Sequence, residues 1–202
     1  MPRIPGVARK DVGLLIRAGY WLAKRRLGAV PEPFSVLARH RKLFMAAARH
    51  EMAAEKACAK LPKNVLELAV YRVARQVGCS WCVDFGTMLM KHGGLDIDRL
   101  KDIDDYLTSP TYTRQERLAV AYADAMSAMP PAVTDEQVAE LREEFGDEGV
   151  LELTYQIGLE NMRARMYSAL DIRDQGFSSG EACRLPEAEI TATRGGARAC
   201  PD

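Results

Sequence analysis

Residues 78–86 read Gly78-Cys79-Ser80-Trp81-Cys82-Val83-Asp84-Phe85-Gly86, and the rest of the chain is best understood from this run. Two thiols three positions apart at the start of a helix share one face, so they can close and reopen a small disulfide ring. Glu67 lies twelve residues before Cys79, on the preceding predicted helix and at the border of its apolar face. A carboxylate in such a place suits proton transfer. Cys79, Cys82 and Glu67 are therefore the candidate catalytic residues.

The remaining cysteines do not suggest a framework of disulfides. The apolar stretch at 12–23 is interrupted by Arg17 and runs into basic residues, which is not the pattern of a cleavable export signal. We therefore expect a cytoplasmic protein, and structural disulfides are rare in that compartment. A structural zinc site usually takes four Cys or His ligands at regular spacing, and Cys58, His50 and His92 lack that spacing. We predict one working dithiol, no metal site, and no role for Cys183 and Cys200.

The pattern of apolar residues predicts helices along the whole chain. Pro62 suits the first turn of a helix and Gly78 a left-handed helix end, while Thr113 and Thr134 each begin a capping-box pattern. No alternating run of β-branched residues is long enough to form a sheet. The sequence thus predicts an all-α fold with helices at about 11–27, 34–59, 62–77, 80–92, 96–107, 114–129, 135–145 and 148–172.

The 202 residues divide into three predicted parts. Residues 1–29 form a basic amphipathic helix, residues 30–175 form the domain, and residues 176–202 form a flexible tail that is rich in Ser, Gly, Ala, Thr and Arg. We expect the N-terminal helix to pack on the core or on a neighbouring subunit rather than on a membrane. The 28 basic and 28 acidic residues balance, so the overall charge does not indicate a nucleic-acid partner.

Glu67, eleven intervening residues and then Cys79-Ser80-Trp81-Cys82 on consecutive helices resemble the alkylhydroperoxidase-D-like proteins of the carboxymuconolactone decarboxylase superfamily. The flanking segments 66–74, 116–126 and 161–166 also resemble that family, and the resemblance covers about residues 30–175. It implies an all-helical fold that assembles as trimers or hexamers, and a thiol-dependent peroxidase or disulfide reductase activity. It also implies that Glu67 joins a proton relay to the thiols of Cys79 and Cys82.

The chain departs from the family pattern at two positions. Gly86 stands where the family carries the histidine that ends the relay, and Trp81 stands where its best-studied pattern carries another histidine. Position 86 is one helical turn past Cys82, so a histidine there could accept the thiol proton directly, whereas Asp84 points away around the helix. Several alternatives follow for the proton acceptor: Glu67 acts through water, or Tyr71 or a residue of another subunit serves as the base. Otherwise the thiols react more slowly, or Gly86 leaves room for a substrate.

These observations predict a thiol oxidoreductase that cycles Cys79 and Cys82 between dithiol and disulfide. The expected oxidant is a peroxide or a partner disulfide, and the expected reductant is a dithiol protein or a small thiol. No bound cofactor is predicted, because the chain has no flavin or nicotinamide fingerprint. One alternative is a carboxymuconolactone-decarboxylase-like lyase, which relies on a histidine-containing site, whereas this chain has three histidines. Another is a non-catalytic, redox-sensing helical oligomer.

Overall fold

A computed structural model describes residues 2–178, and within this range it contains helices and connections but no strand, as predicted. The α-helices are α1 (Leu14–Leu27), α2 (Glu32–Leu37), α3 (Arg41–Ala57), α4 (Lys63–Val77), α5 (Ser80–His92), α6 (Arg114–Ser127) and α7 (Asp135–Ala169). Two 3₁₀ helices span Arg9–Asp11 and Ile97–Asp105.

Two predicted helices differ from those in the structure, and two others are the parts of one kinked helix. The predicted helix at 34–59 is two helices, because the His40 ring accepts a hydrogen bond from the Leu43 N–H at 3.1 Å and caps the start of α3. The helix predicted at 96–107 is a 3₁₀ helix. The helices predicted at 135–145 and 148–172 are the two parts of α7, separated at Gly146, where φ is 68°. Only glycine adopts this left-handed backbone readily, so Gly146 permits the kink.

Helix α4 lies at the centre of the fold and separates two apolar clusters. Val65, Ala69 and Val73 point into a cluster formed with α6 and α7. Leu68, Tyr71 and Ala74 point into a second cluster formed with α5, the second 3₁₀ helix and the end of α7. The two cysteines belong to the second cluster. Burial of both faces of α4 therefore fixes the position of this helix, and the turn that carries the cysteines follows it directly.

Helix α7 runs parallel to α4 and antiparallel to α5. At one end, the Glu152 carboxylate accepts hydrogen bonds from the three backbone N–H groups that precede α4, at 2.9 to 3.1 Å. At the other end, the Tyr167 ring lies edge-on to the Trp81 ring just after α4, with 5.3 Å between centroids. The residues of α7 between these two contacts therefore lie alongside α4, and the last of them lie near the start of α5.

A partly buried ionic network joins α4 to α6 and to the second 3₁₀ helix. The Arg72 guanidinium pairs with Asp124 at 2.6 Å and with Asp104, and Arg75 pairs with the second oxygen of Asp104 at 2.6 Å. The Tyr106 hydroxyl donates to Asp124 at 3.1 Å. Because the Arg72 side chain is only 12% exposed, its charge depends on both carboxylates for compensation.

The two N-terminal helices lie at the periphery. Helix α1 buries Ile16, Tyr20 and Ala23 in a small third cluster, and α3 buries only Ala54 along its 17 residues. Within the part of the chain that the structure describes, no helix combines the length and apolarity needed to cross a bilayer. Packing against the core continues to Ser178, and the rest of the predicted tail, with Cys183 and Cys200, lies outside the described residues.

Candidate functional site

Cys79 and Cys82 form a disulfide at the start of α5, with their Cα atoms 5.3 Å apart. Gly78 ends α4 in the left-handed conformation (φ 79°), and Cys79 then caps α5, where its sulfur accepts the Cys82 N–H at 3.2 Å. The free N–H groups and positive dipole end of a helix start stabilise a thiolate, so this position favours ionisation of Cys79. Within residues 2–178, no three His, Cys, Asp or Glu side chains converge to hold a metal ion.

Both cysteines are buried, but not equally. Cys79 is 1% exposed and Cys82 is 8% exposed. Aromatic rings surround the residue between them: Trp81 stacks on Phe85 with 4.6 Å between centroids, and Tyr167 and Phe177 pack against it edge-on. The disulfide therefore lies in a largely apolar environment, and Cys82 is the more exposed residue of the pair.

Gly86, one turn beyond Cys82, faces the Tyr71 ring and has room for a Cβ atom. A Cβ atom built on Gly86 has only the Tyr71 ring within 4 Å, at 3.9 Å, and Gly86 itself is partly exposed. Burial raises the pKa of the Tyr71 phenol, an effect that the nearby Arg75 opposes without cancelling. Tyr71 therefore stays protonated at neutral pH and does not serve as the base that Gly86 lacks.

Glu67 does not contact the cysteines directly. Its carboxylate lies 3.4 Å from the Lys63 ammonium, and its side chain is 21% exposed. In the α4–α5 hairpin, Tyr71 of α4 faces Gly86 of α5, and the Lys63 ammonium faces Gly93. Glu67 therefore lies along the hairpin axis between the Gly86 and Gly93 positions of α5. This register separates Glu67 from Cys82 by about 11 Å along the helix axis, at 1.5 Å per residue.

The Asp84 side chain anchors the C-terminal segment and is not directed at the cysteines. Its carboxylate accepts backbone N–H groups from Gln175, Phe177 and Ser178 at 2.8 to 3.0 Å, and the Ser178 hydroxyl at 2.8 Å. Burial acts to raise the pKa of Asp84, but these four hydrogen bonds outweigh it and the pKa is lowered. Asp84 thus remains ionised and fully engaged, and residues 176–178 of the predicted tail pack against α5.

Gln175 connects three parts of the chain beside the cysteine turn. Its side-chain oxygen accepts the Trp81 indole N–H at 2.9 Å and the Glu32 N–H at 2.7 Å, and its amide donates to the Val30 carbonyl at 3.3 Å. The residues around 175 carry no recognisable helix or turn pattern, so the sequence did not indicate this role.

Glu160 is a buried carboxylate that the sequence interpretation missed. It is 5% exposed, and the Arg163 guanidinium lies 2.9 Å away and also pairs with Glu51 of α3 at 2.8 Å. Burial raises the pKa of Glu160 to about 7, although the Arg163 charge opposes the shift. The helical repeat could have indicated this burial, because Glu160 occupies a core-facing position that is otherwise mostly apolar. The repeat consists of Leu153, Ile157, Glu160, Ala164 and Tyr167.

Comparison with known proteins gives one clear sequence relative and several structural ones. The chain is 34% identical over 176 residues to the uncharacterized protein YnjA of Escherichia coli K12, covering 87% of this chain and 94% of that protein. No protein-family model matches the chain.

Two solved structures have the same fold. The debrominase Bmp8 superposes with a TM-score of 0.77 at 18% identity, over 88% of this chain and 95% of that one. A peroxidase-related protein from Ralstonia eutropha JMP134, described as an alkylhydroperoxidase AhpD core, superposes with a TM-score of 0.74 at 20% identity, over 92% of this chain and 98% of that one.

Proposed function

We propose that this chain, which belongs to one family with YnjA and has the fold of the alkylhydroperoxidase-D-like proteins, is a thiol-dependent oxidoreductase that reduces peroxides or disulfides. The observation that carries the proposal is the Cys79–Cys82 pair at the start of α5, where the sulfurs reach bonding distance and a helix end stabilises a thiolate. The likeness to peroxidase-related structures supports it at the level of the family.

The proposed reaction oxidises two thiols by two electrons. A thiolate attacks one oxygen of a hydroperoxide, an S–O bond forms, the O–O bond breaks, and the departing oxygen takes a proton to leave as an alcohol or water. The second thiol then attacks the sulfenic acid, forming the S–S bond and releasing water. An external dithiol protein or small thiol returns the disulfide to the dithiol by exchange and is itself oxidised.

We assign the attack to Cys82 and the resolving step to Cys79. Cys82 is the more exposed residue of the pair and lies one turn from the partly exposed Gly86. Cys79 is nearly inaccessible, but its sulfur receives a backbone N–H, so it is the better leaving thiolate when a reductant attacks Cys82. The same asymmetry therefore serves both halves of the cycle.

We keep Glu67 in the proton transfer of this cycle. Its distance from Cys82 along the hairpin requires water between the two groups, and Gly86 lies between their heights. A water-mediated role is one of the alternatives that the missing histidine leaves.

A thiol titration tests the proposal. Free thiols are counted by mass after trapping across a glutathione or dithiothreitol series, and the reduced protein is then treated with one equivalent of hydrogen peroxide. We expect Cys79 and Cys82 to interconvert as a pair in the range of about −200 to −300 mV, and peroxide to regenerate the disulfide. A pair that stays reduced and inert to peroxide would make the cysteines structural.

Replacing Gly86 by histidine should accelerate the reaction with peroxide. The site accepts a Cβ atom at ordinary contact distance from the Tyr71 ring, and an imidazole one turn from Cys82 can accept its proton. We expect the dithiol of Gly86→His to be oxidised about tenfold faster than wild type at pH 7 in stopped-flow measurements, a conservative value for general base catalysis. Gly86→Ala is the matched control, and equal rates in the two variants would contradict the prediction.

Reductive dehalogenation is a second candidate, favoured by the overlap with the debrominase along 88% of this chain. In that reaction the dithiol would supply two electrons to a halogenated aromatic compound, hydrogen would replace the halogen, and halide would leave as the disulfide forms. A structure of a cysteine-to-alanine variant of that debrominase holds 2,3,4-tribromopyrrole. Halide released from a brominated pyrrole, one per disulfide formed, would support this function, and release without any loss of thiols would exclude it.

We also propose that the protein is a cytoplasmic homo-oligomer. The large apolar side chains left exposed on α3 and α7 are Leu43, Met52, Leu151, Tyr155 and Met162. Further copies of the chain in a trimer or hexamer would cover them, since large apolar side chains left exposed in number favour interaction sites. A sedimentation mass equal to one chain would contradict the assembly.

A further inference from the structure

Helix α1 packs on the core with one face only. The buried side chains of that face are Ile16, Tyr20 and Ala23. With 3.6 residues per turn, the opposite face, called the outer face below, contains Leu14, Trp21 and Leu22, and Leu15 lies at its edge. These four side chains are 42% to 82% exposed. The outer face of α1 therefore presents large apolar groups that residues 2–178 leave in contact with water.

Basic side chains lie along both edges of the outer face. Residues 2–28 hold seven Lys or Arg and a single acid. By their helical angles, Arg17 and Lys24 follow one edge of the outer face, Arg26 follows the other, and Arg25 lies within the face. Helix α1 therefore combines an apolar stripe with positive charge at its borders.

Three cations also surround a cavity of about 300 Å³ at the side of α1. The cavity is lined by Arg9, Tyr20, Trp21, Lys24, Arg25 and Val30. The Arg25 guanidinium lies over the Trp21 ring, 5.5 Å from its centroid. No carboxylate lines the cavity, and in the described part of the chain none of its three cations forms an ion pair. A concave surface with several unpaired cations suits a phosphate group.

We propose that α1 docks the protein on the surface of a membrane that contains anionic phospholipids. Leu14, Trp21 and Leu22 enter the boundary between headgroups and acyl chains, while the basic side chains at the edges reach the lipid phosphates. The cavity between Arg9 and α1 receives one phosphate-bearing headgroup. The contact is peripheral, because the other face of α1 stays on the core and no helix within residues 2–178 can span a bilayer.

This partner differs from the one that the sequence alone favoured for the N-terminal helix. The structure places one face of α1 on the core, as expected, and leaves the outer face without a partner in the described residues. An anionic membrane offers apolar depth and negative charge on one surface, and it therefore matches the apolar stripe and its basic borders together. The inference does not rest on the proposed function, since it involves no thiol.

Vesicle binding tests the proposal on the full-length protein. Phosphatidylcholine vesicles, with and without phosphatidylserine, are recovered by centrifugation and the bound fraction of protein is measured. We expect binding to the vesicles that contain phosphatidylserine, with the emission of Trp21 moving to shorter wavelength as its ring leaves water. Raising the salt from about 0.1 M to about 1 M should weaken binding at least tenfold, because the Debye length falls from about 10 Å to about 3 Å.

Removing the aromatic ring tests the apolar contribution. Trp21→Ser should weaken vesicle binding at least tenfold, because the indole supplies a large share of the apolar surface that enters the membrane. Leu107→Ser is the matched control, since Leu107 is equally well exposed but follows the second 3₁₀ helix rather than lying on α1. Its binding should equal that of wild type.

A double charge variant tests the basic contribution. Lys24→Gln combined with Arg25→Gln should weaken binding about tenfold, since each basic residue near an anionic surface adds to the attraction. The control combines Lys60→Gln with Lys101→Gln, which removes the same charge from exposed ion pairs outside α1. We expect the control to bind as wild type does.

Four outcomes would overturn the proposal. Wild-type protein could remain in solution with both kinds of vesicle, or either variant could bind as tightly as its control. A folded Trp21→Ser with a lower sedimentation mass than wild type would assign the outer face to a second copy of the chain. Inorganic phosphate that shifts Trp21 emission without any vesicle binding would assign the cavity to a free anion. A dithiol that is inert to peroxide would leave this inference untouched.

Discussion

Cys82→Ser should lose at least 100-fold in peroxide turnover while folding like wild type. Serine is nearly isosteric but is not a nucleophile at neutral pH without a strong base, so neither the sulfenic acid nor the disulfide can form at this position. Position 82 sits in the first turn of α5, and the cap made by Cys79 uses the backbone N–H of residue 82, which the substitution keeps. The measurement is thiol-coupled turnover together with the far-ultraviolet circular dichroism spectrum.

Cys79→Ser should lose turnover to the same extent but for a different reason. Its Cys82 thiol still attacks the peroxide, so a sulfenic acid accumulates that a dimedone reagent traps, whereas Cys82→Ser gives no such adduct. Cys58→Ser is the control, because Cys58 is a free thiol that accepts a hydrogen bond from Gln156 and lies at the far end of α4. A sulfenic adduct found in Cys82→Ser instead of Cys79→Ser would reverse the assigned roles.

Arg72→Met should lower the free energy of unfolding by about 3 kcal/mol, the usual cost of removing one partner from a buried ionic network. The substitution leaves Asp104 and Asp124 without the guanidinium that pairs with both of them, although Arg75 still pairs with Asp104. Methionine keeps most of the aliphatic volume, so the loss reports on the charge rather than on a cavity. Urea unfolding followed by circular dichroism measures it.

Arg142→Met is the matched control for charge removal. Arg142 pairs with Asp147 at 2.6 Å, but both side chains are more than half exposed, and water replaces such a partner at little cost. We expect an unfolding curve that superposes on that of wild type. Equal losses of unfolding free energy in the two variants would mean that burial does not determine how much the Arg72 network contributes to stability.

The residues that act locally were predictable from the sequence. Gly78 ends α4 in the left-handed conformation, and Thr113 and Glu116 form the two reciprocal hydrogen bonds of a capping box. The spacing of Cys79 and Cys82 was enough to predict that they lie together. The relative positions of residues in one helical turn depend little on the rest of the fold.

The features that depend on distant contacts were not predictable. His40 ends the predicted helix at 34–59 through a side-chain cap, with no glycine or proline to signal it. The anchoring of residues 175–178 depends on Asp84, about ninety positions earlier, and a polar segment without period reads as a loose tail. The distance between Glu67 and Cys82 likewise follows from the hairpin register, which the spacing in the sequence does not fix.

Trp81 lies between the two cysteines in the sequence and in the same apolar cluster, so the protein's own fluorescence should report on its redox state. An indole beside a disulfide is quenched by electron transfer to it, and reduction to the dithiol removes most of that quenching. The second tryptophan, Trp21, is half exposed on α1 and should emit at longer wavelength than the buried Trp81. Oxidation and reduction can therefore be followed continuously as fluorescence intensity at the blue edge of the emission band, without a label.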